Sequence, residues 1–68
     1  RPVQRFAGTD RQVRGLLLAV LREAHAPVDR AALDVVWEEP VQRERALDGL
    51  VADGLVDPLP DGRYALPS

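Results

Sequence analysis

Gln42, Arg43 and Arg45 fall within four consecutive positions of this sequence, and Arg63 follows them near its end. Their types suit the recognition of nucleic acid. A glutamine amide pairs with the edge of adenine, and an arginine fork pairs with guanine or with phosphate. Arg11 and Arg14 form a second, earlier set of possible phosphate contacts. The plain alternative for all six is solvated surface. Acid argues for that alternative: Glu44, Asp48 and Asp53 outnumber Arg43 and Arg45, and Asp57 and Asp61 outnumber Arg63 in the wing.

These residues need elements to hold them, and the sequence supplies a helix followed by a hairpin. Pro40 suits the first turn of a helix, where its missing N–H costs nothing. Ala46, Leu47, Leu50 and Val51 recur at helical spacing, and Asp53-Gly54 provides a stop, since glycine accepts a left-handed conformation. Leu55 to Leu59 and Arg63 to Leu66 then flank Pro60-Asp61-Gly62, a turn signal. On the helix, Val41, Arg45, Asp48, Gly49 and Ala52 face away from the apolar side, with Gln42 and Glu44 on its flanks. Asp48 therefore points from the face that would meet a groove. Arg43 falls inside the apolar arc, so its stem is expected over Trp37 or Leu47 with its head reaching out.

Upstream, Thr9 and Gln12 fit a capping box. The helix they open carries Val13, Leu16, Leu17, Val20, Leu21 and Ala24 in one amphipathic stripe, with Arg11, Arg14 and Arg22 off it. His25 ends that helix; a lone histidine is a poor metal ligand. Ala26-Pro27-Val28 is expected to be extended, adding a third strand to the hairpin. Asp29 caps a short second helix, Arg30 to Trp37, with Trp37 in the core. Glu38-Glu39-Pro40 makes the turn, because a residue before proline avoids the helical region. The class is mostly α with a small β-hairpin (α+β): a winged helix-turn-helix of three helices and a two- or three-stranded wing sheet. Residues 9–68 form this domain. Residues 1–8 read as a linker or arm, with Phe6 as an aromatic anchor on the domain edge or a neighbouring domain.

Sixty-eight residues bury roughly 60% of their unfolded surface, enough for a core but hardly for a substrate cavity as well. Without cysteine, thiolate metal sites, disulfides and cysteine nucleophiles are excluded. There is no phosphate-cradling glycine loop and no nucleophilic triad, so the chain itself is expected not to be an enzyme and to hold no cofactor or metal. The formal net charge of −2 implies weak nucleic-acid binding by the domain alone. No apolar run approaches a membrane span; a monomer is expected, and residence in the cytoplasm near the nucleoid is a separate expectation. The absence of methionine, even at the start, suggests a piece of a longer protein.

The segment Phe6-Ala-Gly-Thr-Asp-Arg-Gln-Val-Arg-Gly15 resembles one that follows the iron–sulfur region in actinobacterial A/G-specific adenine DNA glycosylases. Val41 to Val56 and Asp61 to Pro67 are similar to the pattern that succeeds it there, so the resemblance covers nearly the whole chain. It implies a parent enzyme of base-excision repair that flips adenine from a mispair with 8-oxoguanine and cuts its glycosidic bond. That family's helix-hairpin-helix, catalytic carboxylates and the four cysteines of its 4Fe–4S cluster have no matching positions here. Neither does the Nudix-like domain that ends its better-known members, so by analogy a winged helix stands in that C-terminal place.

Two other readings accompany this one. A protein-interaction or architectural winged helix would dock through Val41, Val56 and Leu59, on the parent's catalytic domain or on a repair partner. The DNA-binding half of a transcription regulator is supported by fold analogy alone, and it lacks a dimerisation helix.

Overall fold

The computed structural model describes residues 10–67. The arm, Phe6 and the Thr9 cap lie outside them. Three helices, α1 (Asp10–Ala24), α2 (Arg30–Asp34) and α3 (Pro40–Ala52), precede a hairpin of β1 (Asp57–Pro58) and β2 (Tyr64–Ala65). This is the winged helix-turn-helix order.

In α1, Val13, Leu17 and Leu21 are buried four apart. Leu18 and Val20 pack against that line, whereas Leu16 is 38% exposed. Three consecutive leucines leave the rotation of the stripe open in sequence, and packing on α3 decides it. From α3 come Ala46, Leu47 and Leu50; Leu33 of α2 and Val56 complete the core. Val56 is therefore core rather than docking surface, a correction to the apolar patch expected of it.

Helix α2 stops at Asp34, three residues short of the expected Trp37. The amide of Val36 donates to the carbonyl of Leu33 at 3.2 Å, closing a turn. The paired β-branched Val35 and Val36, with two acids and a proline beyond Trp37, favour that early exit. Trp37 lies in the connector, half-buried against the core.

Glu39 caps α3: its carboxylate accepts from the backbone amides of Val41 and Gln42 at 3.2 and 3.0 Å. At the other end, Gly54 takes φ +78°. The amide of Leu55 donates to the Leu50 carbonyl at 2.9 Å, and that of Gly54 to Val51 at 3.0 Å. These two bonds make a Schellman stop.

The wing is shorter than its sequence suggests. Two residues pair on each strand, Asp57 with Ala65 and Pro58 with Tyr64. Pro58, with no amide hydrogen, cannot extend the ladder on its side. The loop turns on Pro60, Asp61 and Gly62, whose φ is +90°. Gly62 donates to Leu59 at 3.0 Å, and Leu59 donates to Arg63 at 2.7 Å. The expected third strand is present as a single antiparallel bridge, with Val28 and Tyr64 exchanging both backbone bonds at 2.8 Å.

Candidate nucleic-acid interface

Helix α3 presents Val41, Arg45, Asp48 and Ala52 to solvent, as its periodicity requires. Of the six candidate contacts, Gln42 and Arg45 converge on one partner, Asp10 in the first turn of α1. Arg45 donates through Nε to Oδ2 and through Nη2 to Oδ1 of Asp10, both at 3.0 Å. Gln42 donates through Nε2 to the same Oδ1 at 3.4 Å, while its carbonyl accepts from the Trp37 indole at 2.8 Å. The Arg45 hydrogen bonds, foremost, hold the Asp10 carboxyl below the usual carboxylate range, and the pairing raises Arg45 in turn.

Arg43 does not reach outward. Its Nη1 donates to the Trp37 carbonyl at 2.6 Å, and its Nε lies 3.4 Å from Asp34. That Nε is buried without a hydrogen bond. The side chain is a brace that ties α3 to the connector; the expectation that its head is free is corrected, because the Trp37 carbonyl needs a donor once α2 has ended.

Arg14 pairs with Asp53 at the end of α3. In the wing, Arg63 pairs with Asp61 at 2.9 Å, and Asp61 also accepts the Arg63 amide at 3.0 Å. That backbone bond, ahead of the side-chain bond, holds the Asp61 carboxyl below its usual range. Arg11 is exposed and makes no ion pair among the described residues. The six residues thus do not form one patch: Gln42 and Arg45 share Asp10, and Arg14, Arg43 and Arg63 each answer to another group.

Two residues outside the expected set organise this surface. Asp10 is the first; it is too far from Arg45 in sequence to be paired with it by spacing. Arg30 is the second. It pairs with Asp34 and Glu44, donates to the Tyr64 hydroxyl at 3.3 Å, and its guanidinium carbon lies 5.8 Å from the centre of that ring. It joins α2, α3 and the wing.

Among residues 10–67, seven arginines face eleven carboxylates. No cluster of His, Cys, Asp or Glu among the described residues could hold a metal ion, and no helix there is long and apolar enough to cross a membrane. No buried polar or charged residue occurs in the described core.

Comparison with known proteins gives one consistent relationship. The chain is 66% identical over 67 residues to the adenine DNA glycosylase of Mycolicibacterium smegmatis, covering 97% of this chain and 23% of that protein. It is 60% identical over 65 residues to the adenine DNA glycosylase of Mycobacterium tuberculosis, covering 94% of this chain and 21% of that protein. The resemblance to adenine DNA glycosylases is borne out, and the chain spans less than a quarter of the length of these relatives. No family model matches the chain, and no solved structure matches it.

Proposed function

We propose that this chain, a segment shared with adenine DNA glycosylases, is a non-catalytic winged-helix accessory domain that assists duplex DNA binding in base-excision repair. The observation that carries this reading is Arg45, exposed in the first half of α3 with half-buried Gln42 beside it, at the place where a helix-turn-helix meets the major groove, in a chain akin to enzymes of DNA. The parent is a glycosylase acting on adenine opposite 8-oxoguanine, and its catalytic carboxylates and 4Fe–4S cluster lie outside this chain. The partner is double-stranded DNA, bound weakly by the domain alone as a monomer and more strongly beside the catalytic domain. The setting is the cytoplasm, at the nucleoid.

The excess of carboxylates favours a second reading, an interaction domain that docks on protein. Val35 and Val41, 84% and 68% exposed, are its candidate contacts. Amide chemical-shift mapping of the 68-residue chain with a short duplex separates the two. Shifts centred on Val41 to Arg45 and on Arg63 support DNA engagement; an unchanged spectrum leaves the protein-docking reading.

A further inference from the structure

Asp10 occupies the donors that α3 would offer to DNA. Its two oxygens take both prongs of the Arg45 fork and the Gln42 amide. A carboxylate held by a two-pronged guanidinium has the geometry with which arginine also grips a phosphate or the guanine edge. With the Gln42 carbonyl engaged by Trp37, the α3 donors aimed at a groove are committed to one group from another helix.

We propose that Asp10 is an intramolecular stand-in for a nucleic-acid anion, closing Arg45 and Gln42 until duplex DNA displaces it. This rests on the reading of the domain as a DNA-engaging module. The pair is exposed, 60% for Arg45 and 47% for Asp10, so an incoming phosphate reaches the fork without unfolding anything. Exposed pairs exchange partners at small free-energy cost. Other charges act on the latch from both sides: the Arg14 guanidinium attracts the Asp10 carboxylate, and Glu39 attracts Arg45. Arg14 is itself paired with Asp53, so it adds attraction to the Asp10 carboxylate without holding it. The latch makes the domain discriminate by charge density. A dense row of phosphates competes with the carboxylate, and scattered anions do not.

A different account of Asp10 is the favourable placement of acid in the first turn of a helix. That account predicts no Arg45-dependent gain in DNA binding when the Asp10 charge is removed, and this distinguishes the two. The experiment is a mutant cycle on the 68-residue chain, comprising wild type, Asp10→Asn, Arg45→Ala and the double variant. Fluorescence anisotropy with a labelled duplex over a range of salt reads binding, and circular dichroism melts establish that each variant is folded. Asp10→Ser serves as a second variant if the asparagine form fails to fold. Asp10→Asn is expected to bind about twofold to fivefold tighter, the scale of an exposed ion pair. Its slope of log affinity against log salt should steepen by about one counterion. Both gains should vanish in the Arg45→Ala background. Equal affinity of wild type and Asp10→Asn, or a gain that survives Arg45→Ala, overturns the latch and leaves DNA engagement standing. If none of the four binds duplex at low salt, the DNA-engaging reading falls and the latch with it.

Discussion

Arg14 crosses α3 at Gly49 to reach Asp53. A Cβ built on Gly49 would stand 3.7 Å from the Arg14 Nη1 and 3.8 Å from its Cζ. Those are ordinary contact distances, so the crossing tolerates a methyl group. With the Asp10–Arg45 fork, this crossing supplies a second polar tie between α1 and α3, outside the apolar line of Val13, Leu17 and Leu21.

Gly49→Ala and Gly15→Ala should therefore stabilise the domain. Both glycines sit inside helices, and Gly15 has no atom near the position of an added Cβ. Alanine in a helix interior is better by roughly 0.5–1 kcal/mol. Thermal unfolding followed by circular dichroism should show a higher Tm for each variant. A fall in Tm for Gly49→Ala would mean that Arg14 cannot shift.

The opposite sign is expected at Gly54 and Gly62, whose φ values of +78° and +90° are left-handed. Alanine meets no steric neighbour at either place, so any loss reports backbone strain, about 1 kcal/mol or more. Denaturant midpoints measure it. Unchanged midpoints would deny that these turns need glycine.

Leu17→Ala should unfold much of the population. Leu17 is wholly buried at the centre of α1, and such truncations cost about 2–5 kcal/mol. A domain of this size holds roughly 3–10 kcal/mol in total. Urea titration checks the loss, and a cost below ~1 kcal/mol would contradict the assigned core.

Acid should weaken the fold through Asp10 and Asp61. Both carboxyls are held below their ordinary value in the folded chain, Asp10 chiefly by Arg45 and Asp61 chiefly by the Arg63 amide. A carboxyl that is more acidic folded than unfolded stabilises the fold above its unfolded pKa. That contribution is lost as pH falls through the lower, folded value, here below about pH 4. Both groups are exposed, so the effect on stability is small. Carboxyl-carbon NMR titration reads it directly: Arg45→Ala should raise the Asp10 midpoint and leave Asp61 in place.

Most of the architecture was legible because local chemistry set it. Pro40, Asp53-Gly54 and Pro60-Asp61-Gly62 mark boundaries by their own dihedral preferences, and those boundaries stand where the residues put them. Less legible were features decided across the chain. The rotation of Leu16 to Leu18, the burial of Val56 and the early end of α2 depend on what packs against them. Side-chain partnership was the least legible. Gln42 and Arg45 are recognisable from type and spacing as candidate readers, but nothing local says that Asp10 already holds both. Arg43 shows the same limit, since nothing in the sequence says that the Trp37 carbonyl, six residues back, captures its head.

The most direct test is anisotropy of a short labelled duplex titrated with this chain at low salt, carrying either a normal A·T pair or adenine opposite 8-oxoguanine. Duplex engagement requires binding in the range of about 10⁻⁴–10⁻⁶ M that weakens steeply with added salt and weakens further in Arg45→Ala. A preference for the lesion duplex would add damage reading to that role. No binding of either duplex at ~100 μM, within the usual non-specific range, would contradict it and assign the exposed face of α3 to a protein partner.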